Sequence, residues 1–434
     1  MFDRDDRLSW VAIGVVLMMI SIVTPAVADT DMDLVLSTAS ESAAQAGGGG
    51  GAGAASKLAV HGFLTQAYAD ASFNEVPVGV LPDGSVGPLG VSPDLFEAAR
   101  GIPEDGTTNY RFLALQFRYD ISDSDVVVVQ LSSRALGDSE VQDFEEEVEL
   151  DWAFYERRLG DNTSLKVGRV QIPFGIYNEL RDVGPILPFY RPAIFFYKEG
   201  SFTSETVDGL SIAHTFFAES DWTLDLTGYY GEWEAVQVAP SLNLSGIVRA
   251  KDGLGFQAWL TSPWGVRFGL GSLAFDQEGG GFLRPADRRQ IVHASLDATF
   301  GRFTLQVEWN EEDAATLDQI VGVEPEVGFE EWYAMVGYSV TDKFSIWALS
   351  ETAKITSDSL LALAPASRDQ GEDTGIAFNY AFSPNLVLKA EHHWTKFRGA
   401  NDYFDFSTGD FRLRNEVYEA DDGSYTIIAL SVSF

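Results

Sequence analysis

From Lys57 onward the chain repeats one pattern. Stretches of roughly ten residues alternate apolar and polar side chains, each stretch closed by a break before the next begins. Such alternation gives a β-strand one apolar and one polar face. In the stretch following Gly301, Phe303, Leu305, Val307 and Trp309 fall on one face and Thr304, Gln306 and Glu308 on the other. Ile376, Phe378, Tyr380 and Phe382 oppose Gly375, Ala377 and Asn379 in the same way, and Trp222, Leu224 and Leu226 oppose Asp225.

The breaks come in two sizes. Short ones such as Gly160–Asn162, Ser262–Gly265, Thr341–Lys343 and Ser383–Asn385 have turn composition. Long ones cover about 71–107, 135–148, 171–206, 233–253, 276–288, 312–327, 355–370 and 398–424, and the two sizes alternate along the chain. The pattern predicts an all-β protein, a transmembrane antiparallel β-barrel of about 16 strands with short periplasmic turns and long outer loops. An even count brings both ends of the barrel to one side, and a barrel that wide leaves an aqueous channel. A soluble sandwich would share the period of two. Aromatics clustered at strand ends, and charge on the face opposite the apolar one, favour the membrane barrel.

The N-terminus predicts an origin for this placement. Residues 1–28 read as a signal peptide: a short apolar run, Trp10–Val23, is followed by Ala26–Val27–Ala28, a small-x-small cleavage pattern. The leading Arg4 and Arg7 are offset by Asp3, Asp5 and Asp6, an unusual start for an export signal. Residues 29–56 are small, polar and Gly-rich, which predicts a flexible linker, and 57–434 form the barrel. No later segment approaches eighteen consecutive apolar residues, so a helical membrane protein is excluded. The expected location is the bacterial outer membrane.

Composition narrows the partners. The 65 acidic residues against 29 basic ones give a formal charge of -36, which excludes a nucleic-acid partner. There is no cysteine, hence no disulfide, thiolate metal site or Cys nucleophile. Acidic outer loops at 137–151 and 311–331 lack the spacing of a calcium loop, and they read as solvated surface. His392 and His393 are adjacent and so point to opposite faces of a strand, where they cannot share a metal. No serine stands in a Gly-x-Ser-x-Gly motif. No cofactor, metal or catalytic residue is expected.

Three stretches carry a family resemblance: Lys57–Ala69, Leu165–Glu179 with its Gly-Arg and Pro-Phe-Gly elements, and the closing strand that ends on Phe434. They resemble the trimeric porins of Gram-negative bacteria, in pattern the phosphate-selective porin O and P family and its general-porin relatives. The resemblance implies passive diffusion of small polar solutes or ions, a homotrimer, and contact with outer-membrane lipid and lipopolysaccharide. It also implies that the third outer loop, 171–206, folds into the lumen. The loop's composition suits that place. Phe174, Ile176, Ile186, Leu187, Phe195 and Phe196 can pack on the wall. Glu179, Arg181, Asp182, Arg191 and Lys198 are the expected pore-constriction residues.

Strand parity assigns Arg118, Arg134, Arg157, Asp225, Arg267, Asp297, Glu308, Lys389 and Glu391 to the lumen, with Asp151 beside them. This mixture of signs does not describe an anion pore, because a selective ring carries one sign. A general pore fits better. A selective anion or phosphate pore remains an alternative, as does a sugar pore using Tyr155, Tyr190 and Trp259. From other classes, a barrel-scaffolded outer-membrane enzyme and a plugged adhesive barrel stay open.

Overall fold

In the computed structural model, the structure describes residues 57–72, 78–80, 86–88, 101–103, 105–137, 148–197, 205–239, 244–279, 284–316, 326–357, 366–405 and 410–434. The expected signal peptide and linker lie outside them. The strands are β1 (Leu58–Ser72), β2 (Val78–Val80), β3 (Val86–Pro88), β4 (Thr107–Asp120), β5 (Asp125–Leu136) and β6 (Glu149–Gly160). They continue as β7 (Thr163–Gln171), β8 (Thr206–Phe216), β9 (Thr223–Ala239), β10 (Leu244–Thr261), β11 (Val266–Gly279) and β12 (Arg284–Phe300). The last six are β13 (Phe303–Thr316), β14 (Glu326–Thr341), β15 (Phe344–Ser357), β16 (Ala366–Ser383), β17 (Leu386–Asp405) and β18 (Asp410–Ser433). Strands β2 and β3 form a small separate hairpin, and the other sixteen close a barrel in which each strand pairs with its sequence neighbour. All pairs are antiparallel, including β1 with β18 at the seam.

The outward face is predominantly apolar. Leu260, Phe268, Leu270, Phe303, Val336, Phe378, Ile428 and Leu430 are exposed on it. The inward face is different. Val128, Phe154, Tyr229, Phe275, Leu273, Met335 and Leu349 from the wall join Phe174, Leu187 and Phe196 from the chain after β7 in one buried cluster. The core therefore lies inside the barrel, between the wall and a segment of the chain.

The outer breaks are shorter than the sequence pattern predicts. The breaks expected at 233–253 and 276–288 are largely strand, and β17 and β18 continue for 20 and 24 residues into the one expected at 398–424. A tilted strand needs only about 9–11 residues to cross the hydrocarbon. Beyond that depth both faces meet water, so a strand can continue with no apolar–polar alternation to reveal it.

The seam depends on the last residue. The Gly62 N–H donates to the Phe434 carbonyl at 2.8 Å, and the Phe434 N–H donates to the Gly62 carbonyl at 3.0 Å. The Phe434 ring covers Gly62 so closely that a Cβ there would lie 2.2 Å from it. A glycine on the first strand thus receives the aromatic ring of the last. Substituting Gly62→Leu must displace that ring. The folded fraction after refolding into detergent, read by mobility of unheated against heated samples, should fall well below wild type. An unchanged folded fraction would show that the ring does not help close the barrel.

Candidate functional site

Strand β7 ends at Gln171, where Pro173 removes a backbone donor and Gly175 turns the chain with φ +63°. A side chain at Gly175 would collide with the Tyr197 hydroxyl and the Glu308 carboxylate. From Ile172 to Tyr197 the chain has only a 3-10 turn at Gly184–Ile186 and a helical turn at Ile194–Tyr197. An irregular backbone inside a barrel leaves N–H and C=O groups that must find partners.

The barrel wall supplies many of them through charged and amide side chains. Lys389 donates to the Leu187 carbonyl and, at 3.0 Å, to the Phe189 carbonyl, while Asn379 donates to the intervening Pro188 carbonyl at 2.8 Å. Glu391 accepts from the Tyr190 N–H at 2.7 Å. Glu351 receives the N–H groups of Ile194 and Phe195, the start of the helical turn, at 3.2 and 3.0 Å. Gln257 donates to the Gly175 carbonyl at 2.9 Å. Glu308 accepts from the Ile176 N–H at 2.9 Å, from the Tyr333 hydroxyl at 2.5 Å, and from Tyr197 and Ser295. Phe174 completes this corner, 5.1 Å from the Phe196 ring and 4.5 Å from His293.

A second set of contacts holds the segment to β5. Asp182 accepts from Gln130 at 3.0 Å and from Arg134 at 3.1 Å. Arg134 also makes a two-pronged pair with Glu205, at 2.7 and 2.6 Å, and Arg181 reaches the same carboxylate at 2.9 Å. Burial works against the charge on Glu205, but the two guanidinium groups outweigh it and hold its carboxyl down to about 2. Asp182 moves the other way. Burial and the neighbouring Asp151 carboxylate push it well above the usual range against the pull of Arg134. Oxygens of Asp151, Asp182 and Glu205 lie within 4.8 Å of one another, a spacing suited to a cation. The two guanidinium groups already fill that electrostatic role.

The predicted constriction residues divide accordingly. Glu179 is exposed, but Arg181 and Asp182 are buried, which corrects their expected place facing the pore. Arg181 reaches Glu205 and Asn178, and Asp182 accepts from Gln130 and Arg134, so neither side chain meets water. Arg191 is half-buried, its guanidinium 5.1 Å above the Tyr110 ring. Lys198 lies outside the described residues. Of the expected packing residues, Phe174, Leu187 and Phe196 are buried and Ile176 packs against them, whereas Ile186 is exposed.

Of the predicted lumen residues, Arg118, Arg134, Asp225, Arg267, Asp297, Glu308, Lys389 and Glu391 share the inward face with the wall residues that bind the segment. Several are not solvated: Glu308, Lys389 and Glu391 are buried beneath the segment, and Asp297 is buried beside Arg267 and Gln306. Arg157 is a correction. It pairs across from Asp125 and Leu165, on the outward face that carries the exposed Val167. A bulge opposite Gln130 and Leu131 inserts Asp151 into β6 and reverses the parity after it. The same bulge puts Tyr155 outward, and Tyr190 and Trp259 are buried, so these three aromatics do not form one track. Sequence reasoning placed Asn379 inward without a role and missed Glu351 and Gln257, because a polar inward residue gives no sign of which backbone group it will meet.

Two variants test this arrangement. Lys389→Met leaves two carbonyls without their donor and should cost about 2–4 kcal/mol of stability. Measurement is by denaturant unfolding in detergent, and a loss below about 0.5 kcal/mol would mean that the clamp is not needed. Asp182 has a raised folded-state pKa, so folding holds its proton and stability falls as pH rises through the window between its unfolded and folded values. In Asp182→Asn that fall should become shallower, and the variant should lose less stability than wild type between acidic and neutral pH. Parallel pH profiles for the two proteins would contradict it.

No family model matches the chain, and no curated protein matches it. Solved structures do. The outer membrane channel DcaP of Acinetobacter baumannii aligns with TM-score 0.51 and 12% identity, over 87% of this chain and 97% of that one. OmpF of Salmonella typhi aligns with TM-score 0.50 and 11% identity, over 87% and 97% of the two chains. OmpT, an outer membrane protein of Vibrio cholerae solved in a trimer form, aligns with TM-score 0.50 and 11% identity over 87% and 99%. At these identities the likeness shows the fold, and the fold is the closed sixteen-stranded antiparallel barrel of outer-membrane porins.

Proposed function

We propose that the protein is an outer-membrane porin, a passive channel for small polar solutes or ions narrowed by the segment 172–197. The observation that carries this reading is the closed sixteen-stranded barrel with an apolar outer face and an irregular segment bound to its inner wall. Sixteen strands enclose more space than wall side chains fill. The outward apolar face is that of a barrel solvated by lipid, and the neighbours named as an outer membrane channel and as outer membrane proteins support the same location. Export through a cleaved signal peptide and assembly as a trimer belong to this proposal. One of the structural neighbours is described in a trimer form.

The segment also suggests which residue the permeating ion meets. Glu179 is its one exposed ionisable side chain among the described residues. Of the bases that an anion-selective pore would display, Arg181 and Lys389 are buried and Arg134 is partly so, and all three are held by carboxylates or carbonyls. The phosphate-selective alternative loses its chemistry here, and a pore of weak cation preference fits the exposed carboxylate.

Reversal potential across a planar bilayer in a KCl gradient tests both levels. The expected result is open steps with weak cation preference, moved toward anions by Glu179→Lys. Strong anion selectivity would overturn the assignment of Glu179, and a folded barrel that never conducts would overturn the channel itself.

A further inference from the structure

Between Glu179 and Leu187 the segment has two sides. Arg181, Asp182, Gly184 and Leu187 are buried. Arg181 reaches Glu205, Asp182 accepts from Gln130 and Arg134, and the Leu187 carbonyl accepts from Lys389. Gly184 lies so close to β1 and β18 that a Cβ there would stand 2.2 Å from the Thr65 hydroxyl and 2.9 Å from that of Ser431. These four residues face the wall. Glu179, Leu180, Val183, Pro185 and Ile186 keep solvent exposure, Ile186 at 37%. A residue that stays exposed on a segment bound inside the barrel meets the water of the lumen.

The sorting is the reverse of what a polar passage leads one to expect. Both buried charges of this stretch are taken up by the wall, and four of the five residues left to the lumen are apolar. Leu180, Val183 and Ile186 recur every third residue, the spacing at which tight turns align side chains. Their N–H groups are bonded within the segment, to the carbonyls of Tyr177, Leu180 and Val183 at 2.8, 2.9 and 3.1 Å, and Pro185 has none. These four residues therefore show a solute apolar side chains and no free N–H. The one charge beside them is the exposed Glu179 carboxylate. Neighbouring apolar side chains left in contact with water mark a surface that binds something apolar.

We propose that Leu180, Val183, Pro185 and Ile186 form an apolar contact that determines specificity for organic cations bearing a short alkyl chain. Glu179 attracts the charge, and the four side chains cover the alkyl part. The channel then discriminates among cations by their apolar surface as well as by their charge. The inference deepens the channel reading and rests on it.

The test is block of the potassium current through the full chain in a planar bilayer. The blockers are tetramethylammonium and its ethyl-, propyl- and butyltrimethylammonium homologues, with choline as the hydroxylated counterpart of the propyl ion. A fully buried methylene strengthens binding about fourfold, so a partly covered one should lower the half-blocking concentration about twofold at each step. Choline should block at about threefold or more the concentration of the propyl ion. With Leu180→Ser and Ile186→Ser combined, the step per methylene should shrink toward onefold. With Glu179→Gln, every homologue should weaken by a similar factor and the step should persist. The homologue series in the wild type decides the matter even if the double variant does not fold. No dependence on methylene number, choline equal to the propyl ion, or an unchanged step in the double variant would each overturn the proposal. Open steps without methylene dependence leave the channel standing and sink the apolar contact, whereas a folded barrel that never conducts sinks both.

Discussion

An irregular chain cannot enter a barrel unless its backbone polar groups are met there. That constraint organises this molecule. Between Ile172 and Tyr197 the segment makes little regular structure of its own, so its N–H and C=O groups must be answered from outside. The wall answers with Lys389 and Asn379 on carbonyls, and with Glu308, Glu351 and Glu391 on N–H groups. Each of these side chains would be costly to bury alone, and each buried backbone group would be costly alone. Together they offset one another, and charge-assisted hydrogen bonds make the exchange favourable.

The consequence for a channel is a division of labour among charges. Inward position does not make a residue part of the pore surface. Lys389 and Glu308 point inward yet meet the segment, and Arg134 and Arg181 are taken up by Asp182 and Glu205. In the proposed channel the charges left exposed are Glu179 on the segment and wall residues such as Arg118, itself paired with Asp120. Charge counted along the lumen therefore overstates the basic character of the path. The clamp to the wall also makes the segment part of the barrel's core, since Phe174, Leu187 and Phe196 pack against wall residues from many strands.

Much of the fold was legible because a membrane barrel imposes period two on every strand. Lipid demands apolar side chains on one face, and the turn residues mark where strands reverse, so strand number and the inward and outward sets could be read from residues such as Phe303 to Trp309. Legibility failed at two kinds of place. Above the membrane both faces are wet, and the extensions of β17 and β18 carry no such signal. At the bulge beside Asp151 one extra residue reverses parity, which moved Arg157 and Tyr155 to the outer face.

By itself, the sequence determined the strand pattern, the position of the interruption after Gln171, and the mixture of packing and charged residues that suits a segment inside a barrel. Those are local properties, set by alternation, proline and glycine. Only the tertiary structure decided which inward charges meet water and which meet backbone. Leu187 and Lys389 are some two hundred residues apart, and no local pattern links them. Their meeting depends on barrel closure, which brings every strand's inner face within reach of one segment.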